Sequence, residues 1–297
     1  MVSKAKNYPE VLIPSPITQT WNAFKESPLA MVGFWGMLFI LLIVIAGPML
    51  ISQDPFTQHP NNLLQPPSWS AKGSIEHFLG TDDLGRDVLA RLVYGARLTV
   101  GSAVVATFFA MLLGCALGVL AGMSHGFKSS LLHHAFDTLL NIPSVLLALV
   151  LVVVMGTGLG NAILALVLVL IPQFIHATYN AVSAEMQKEY IVSVRLDGSP
   201  PLRILRLAIL PNIADTIVAQ TTRALSTSIL DISAICFLGL GAQAPEPEWG
   251  SMLADGMDLI YIGAWTVTLP GLAIMFSVLA ANLVGEGLRR ALHKGTD

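Results

Sequence analysis

Long stretches without a single Asp, Glu, Lys or Arg constrain this chain more than any other feature. Residues 29–51, 98–123, 138–184 and 260–285 are all free of those four types. Crossing about 30 Å of hydrocarbon takes about 20 apolar residues as helix. Within lipid, only a helix or a closed barrel satisfies every backbone polar group. The 138–184 run is long enough for two passes, and Gly156-Thr157-Gly158-Leu159-Gly160-Asn161 breaks it in the middle. With a further span at 214–240, the expectation is six helices, at 29–51, 98–123, 132–154, 162–183, 214–240 and 260–285. The fold class is therefore an all-α integral membrane protein with an extracytoplasmic insertion after its first helix.

Composition agrees with this and removes other classes. Of 297 residues, 54% are hydrophobic and only 12% charged, which departs from a soluble domain with a charged surface. The net charge of -3 is spread over both signs, so no basic block awaits nucleic acid. Cys115 and Cys236 lie in separate apolar runs and read as small core residues, with neither disulfide nor metal-ligand spacing. Adjacent His133 and His134 point about 100° apart on a helix, a poor metal pair. No metal and no cofactor is expected. The first apolar run is too long for a signal-peptide core, so it is expected to stay as an anchor. The alternative, a cleaved signal, is opposed by Ala46-Gly47 leading straight into Pro48.

Lys and Arg in the loops set the orientation. The N-terminus (Lys4, Lys6, Lys25), the 124–131 loop (Lys128), the 185–212 loop (Lys188, Arg195, Arg203, Arg206) and the C-terminus (Arg289, Arg290, Lys294) hold eleven. The opposite side has Lys72, Arg86 and Arg91, Arg97 at the membrane entrance, and none at 241–259. The expected division is a cytoplasmic segment 1–28, a first span 29–51, a periplasmic segment 52–96, a five-helix core 97–285 with a cytoplasmic loop 185–212, and a cytoplasmic tail 286–297.

Two extramembrane segments carry the functional signal. Glu185–Asn212 reads as two short helices around Gly198, which takes the left-handed conformation that ends the first. Ser199 is positioned to cap the second and Pro200 suits its first turn. Arg203 and Arg206 share a face, with Leu202, Leu205 and Ile209 as an apolar stripe beside them and Pro211 closing the segment. A helix of this kind docks into a partner's groove. The outward segment is Pro-rich at first and helix-like from Thr81 to Arg97, where Asp87 and Arg91 have the spacing of a helix pair with a structural role. Glu246, Glu248, Asp255 and Asp258 in the last outward loop read as solvated, or as a feature favouring cationic solutes or a docking rim.

The interval from Gly198 to Leu210-Pro211 resembles the coupling loop of ABC importer permeases, with Val192-Ser193-Val194 in place of that family's Glu-Ala-Ala. Leu79-Gly80-Thr81-Asp82-Asp83-Leu84-Gly85-Arg86-Asp87, followed by Gly95-Ala96-Arg97, is similar to the block before the second span of dipeptide and oligopeptide permeases. Asn141-Ile142-Pro143-Ser144 and Glu248-Trp249-Gly250 also resemble that family, while Val194-Arg195-Leu196-Asp197-Gly198, Leu230-Asp231-Ile232 and Gly241-Ala242-Gln243 look most like its Sap branch. The resemblance implies the type I permease fold, a bacterial inner-membrane location and transport of peptides or polyamines such as putrescine. It also implies a homologous second permease, two cytoplasmic ATP-binding subunits and a periplasmic solute-binding protein as partners. Val194, Gly198, Ser199, Arg203, Arg206, Leu210 and Pro211 are then the ATPase-coupling candidates. The periplasmic motif is Gly80, Thr81, Asp82, Gly85, Arg86, Asp87, Gly95 and Arg97.

The chain carries no Gly-x-x-x-x-Gly-Lys-Ser/Thr loop, so nucleotide belongs to another polypeptide. No nucleophile elbow is present, and no enzyme is expected. Arg223 and Asp231 lie inside the fifth span, where charge is costly and faces a cavity or partner. Both readings stay open: lining the translocation path, or structural pairing with Asp137, Asp215 or a sister subunit. The competing class, a self-sufficient channel or secondary transporter, leaves the 185–212 loop without a use.

Overall fold

The computed structural model describes residues 16–124 and 141–294. Lys4, Lys6, Lys128, His133, His134, Asp137 and the first part of the expected 132–154 span lie outside the described residues. The described chain is helical, with no strand beyond one isolated bridge between Thr81 and Asp87. Its elements are α1 (Pro16–Lys25), α2 (Pro28–Leu50), α3 (Val88–Met123), α4 (Ser144–Met155) and α5 (Leu159–Met186). Then come α6 (Glu189–Leu196), α7 (Pro201–Ile204), a π-helical turn (Leu205–Ile209), α8 (Leu210–Asn212), α9 (Ala214–Phe237), α10 (Trp249–Gly256) and α11 (Trp265–Lys294).

Among the described residues, α2, α3, α5 and α11 are both long and apolar enough to cross a membrane. Helix α4 is apolar but has 12 residues. Helix α9, with 24 residues, has the length but carries Asp215, Gln220, Arg223 and Asp231 along it. At 36 residues, α3 reaches about 54 Å, well past a hydrocarbon core of about 30 Å, so its charged first turns project beyond the slab.

These helices are packed small side inward. On α2 the buried positions include Ala30, Gly33, Gly36 and Gly47, while Leu29, Val32, Trp35, Phe39 and Met49 point outward. Lipid is as apolar as leucine, so large side chains gain nothing by turning in and close backbone approach decides the interface. The largest helix–helix interface, α3 against α5, has the same construction. A Cβ at Gly114, Gly118 or Gly122 would come within 2.4, 2.7 and 2.8 Å of Phe174, Thr178 and Val182. Helix α9 packs on α11, α3 and α5, with α4 against α5, closing a core around Leu166, Ile232 and Ile235.

Candidate functional site

The outward motif is a hydrogen-bonded collar over the start of α3. Gly80 and Gly85 have φ of +83° and +74°, and a side chain at Gly85 would meet His59 O at 2.1 Å. Thr81 hydroxyl accepts from Gln65 N at 2.8 Å and donates to Asn62 O, and its carbonyl accepts from Trp265 Nε1 at 3.0 Å. Asp82 Oδ1 accepts from Leu84 N and Arg86 N, and its Oδ2 takes Arg86 Nε at 2.6 Å. Asp87 caps α3 by accepting from Ala90 N at 2.8 Å, and its other oxygen faces His77 Nδ1 at 3.1 Å.

The expected helix from Thr81 therefore begins only at Val88, because residues 81–87 spend their polar groups on the turn. The expected pairing of Asp87 with Arg91 is also corrected. Asp87 is committed to the cap and His77, and Arg91 turns to Asp82 and Asp255, at 3.6 and 3.8 Å. Gly95 fits against Pro247 O and Trp249, while Arg97 is exposed and stands apart from the buried cluster.

The last outward loop is only partly solvated. Glu248 is fully buried, its Oε1 accepting from Thr99 at 2.6 Å and its Oε2 from Ser251 N at 3.0 Å. It holds α10 in a capping box with Ser251. Burial pushes its carboxyl above the usual range, opposed by the Thr99 hydrogen bond. Asp255, beside Arg86 and Arg91, is likewise raised by burial, with both guanidinium groups opposing. Sequence reasoning missed these roles; Glu248 two residues before Gly250 in a motif was the available signal.

The inward loop forms two helices folded about Gly198, whose φ is +77°. Gly198 N bonds Arg195 O and Ser199 N bonds Val194 O, closing α6 in a Schellman motif. Ser199 does not cap the second helix as expected: Pro200 occupies the N-cap and Pro201 the first helical position. A residue before proline is held out of the α region, which delays the helix start by one.

The expected stripe of Leu202, Leu205 and Ile209 is corrected too. Ile204 and Ile209 are buried and Leu205 partly so, whereas Leu202 is 63% exposed. The cause is the π turn, in which Leu210 N reaches back to Leu205 O. Pro211 has no N–H for Leu207 O, and its ring crowds that carbonyl, so the turn widens and places i and i+5 on one face. Ile191, Ile204, Ile209 and Ile213 pack on Val182 and Met186 at the foot of α5. A polar clasp adds to this: Tyr190 hydroxyl donates to Glu185, Asn212 Nδ2 donates to Tyr190 hydroxyl at 2.8 Å, and Lys188 lies 2.8 Å from Glu185. Burial and Glu185 raise the Tyr190 phenol. Exposed in this loop are Val192, Leu196, Leu202 and Leu207, the basic Arg195, Arg203 and Arg206, and the acidic Glu189 and Asp197.

Arg223 and Asp231 are not brought together. Asp231 is buried, and its Oδ2 has no hydrogen-bond partner among the described residues. Arg223 is exposed and lines two cavities of about 240 Å³ each, shared with Ala219 and Arg289. Asp137 lies outside the described residues. Asp215 lines the first of those cavities. No three His, Cys, Asp or Glu side chains among the described residues converge as metal ligands.

The described chain is thus a helical membrane bundle with a hydrogen-bonded collar before α3 and a clasped two-helix loop after α5. Residues 114–297 match the model for binding-protein-dependent transport system inner membrane components, and the chain belongs to that family. Residues 15–67 match the N-terminal transmembrane domain of oligopeptide transport permease C.

Among curated relatives, the peptide transport system permease protein SapC of Escherichia coli O6:H1 is 47% identical over 98% of both chains. The di/tripeptide transport system permease protein DppC of Pseudomonas aeruginosa is 40% identical over 96% of this chain and 94% of its own. The fold is shared with the inward-facing MetNI methionine ABC transporter: TM-score 0.54, 23% identity, 68% of this chain and 95% of that one. The chain is thus a multi-pass inner-membrane transport component, as the motifs around Gly80 and Gly198 led one to expect.

Proposed function

We propose that this chain is one of two permease subunits of an ABC transport system for short peptides, driven by separate ATPase subunits docked on the 185–212 loop. The observation that carries the proposal is the exposed face of that loop. Leu196, Leu202, Leu207, Arg203 and Arg206 are exposed, while Ile191, Ile204, Ile209 and the Glu185–Tyr190–Asn212 clasp clamp the loop to α5. A rigid lever with exposed apolar and basic side chains suits transmission of an ATPase's closure into α5 and α9, and hence rocking between inward-open and outward-open states. A self-sufficient channel would have no use for it.

The topology that goes with this reading has six spans, the third containing α4 and the fifth being α9. Both termini and the 185–212 loop then lie in the cytoplasm, following the positive-inside count. The polar side of α9, including Arg223, faces a sister permease across the path, and a periplasmic solute-binding protein delivers to the collar. Peptide as solute rests on the names of the SapC and DppC relatives; polyamines such as putrescine, expected from the sequence, are the competing solute.

Reconstitution of the assembled complex in liposomes tests the reading. Peptide-dependent ATP hydrolysis with uptake of labelled dialanine is expected. Stimulation by putrescine and not by peptide would replace the solute, and transport by this chain without ATPase subunits would overturn the mechanism.

A further inference from the structure

Arg91 is a buried guanidinium with its hydrogen-bonding capacity unspent. It is 3% exposed, and its contacts to Asp82 and Asp255, at 3.6 and 3.8 Å, are too long for hydrogen bonds. Its Nη1 has no partner at all. Arg86 beside it is 6% exposed and has a single side-chain hydrogen bond, Nε to Asp82 at 2.6 Å, with Asp255 at 3.9 Å. Asp82 Oδ1 is taken by the turn's own amides and its Oδ2 by Arg86 Nε. A purely structural ion network of this burial would close to charge-assisted distances of about 2.7–2.9 Å. Arg91 Nη1 itself is enclosed, and both guanidinium-bearing residues contribute to the wall of one cavity.

The cavity, of about 160 Å³, lies between the collar and the 241–259 loop and is lined by Arg86, Arg91, Gln243, Glu246, Ser251 and Asp255. At about 30 Å³ per water it holds roughly five waters, room for a carboxylate and the amide behind it. Paired guanidinium groups match carboxylate geometry in a way that lysine does not. Asp255, its side chain 57% exposed, sits at the edge as a loosely held stand-in that can be displaced.

Resting on the peptide reading, we propose that the Arg86–Arg91 pair receives the C-terminal carboxylate of a short peptide at the outer mouth of this subunit. Glu246, exposed on the same cavity wall, lies where a free amino group is tolerated and a second carboxylate is not.

The test is equilibrium dialysis of the full chain in lipid nanodiscs with labelled dialanine, its C-terminal amide, and acetate. Dialanine is expected to bind at least tenfold more tightly than the amide, with acetate competing. Arg91→Lys, which keeps the charge and loses the fork, should weaken dialanine tenfold or more. Asp255→Asn, at an exposed position that leaves folding intact, should tighten it severalfold by removing the internal competitor. Equal binding of dialanine and its amide by the unmodified chain, or binding of neither, overturns the inference without reference to any variant. Loss of solute-binding-protein docking in Arg91→Lys with dialanine binding unchanged would assign the pair to a protein carboxylate and also overturn it. Failure here is distinct from failure of the peptide reading: liposomes that carry dialanine and its amide equally well leave the reading standing, and liposomes that carry neither remove it.

Discussion

Glu248 ties α3 to α10 through its two carboxylate oxygens. Its two oxygens accept from Thr99 and Ser251, and Trp249 N in turn donates to the Thr99 hydroxyl. Glu248→Ala leaves those donors buried without acceptors, at about 1–3 kcal/mol each, and a clear fall in the detergent melting midpoint is expected. The pH dependence has a definite sign. Burial raises this carboxyl above its ordinary value of 4.5, so the folded state holds its proton more tightly than the unfolded chain. Stability is fully present below pH 4.5 and declines as pH rises through the raised value. Glu248→Gln removes the titrating proton, and the slope of melting midpoint against pH above 4.5 should flatten; an unchanged slope assigns it to other groups. None of this was legible in the sequence, because an acid in a positive-poor outward loop reads as solvated. Gly80 and Gly85 were legible as motif residues, although their purpose, close approach to Gln65 and His59, depends on chain 15 to 26 residues away.

Elements divide into those that propensity describes and those that packing and proline rewrite. Spans α2 and α5 follow the apolar runs to within three residues, because length and apolarity are local properties, whereas α3 starts ten residues before its run and α11 continues nine residues past its own. The inward loop kept its two helices and its left-handed Gly198, yet lost the expected stripe, since a π turn forced by Pro211 shifts the register of everything before it. Two outcomes belong to this scale. Gly118→Leu drives a side chain into Thr178, whose Cβ would lie 2.7 Å from even the first added carbon, and should part α3 from α5, seen as loss of monodisperse protein in size-exclusion chromatography. Arg203→Glu with Arg206→Glu changes only exposed positions, so melting should be unaffected while ATPase co-purification falls at least tenfold. Unchanged co-purification would place the docking face elsewhere.

At the scale of the molecule, charge-free runs were enough to foresee a polytopic helical protein. They were not enough to separate α4 and α9 from ordinary spans, because α9 is polar where it meets cavities and α4 has only 12 residues. The polar side of α9 makes sense only against water or a second subunit. Transport, on this reading, is a property of an assembly in which this chain supplies half the path and one lever. Gly198 is the point on which that lever depends: its φ of +77° and the amide it donates to Arg195 O are both lost in Gly198→Pro.

The most direct measurement is therefore ATP hydrolysis and peptide uptake, side by side, in liposomes holding the assembled complex with this chain as wild type or Gly198→Pro. The expected result is that the variant inserts and assembles, retains nucleotide hydrolysis, and loses most peptide-dependent stimulation and uptake. Wild-type coupling in the variant would contradict the account by showing that the 185–212 loop is not the lever.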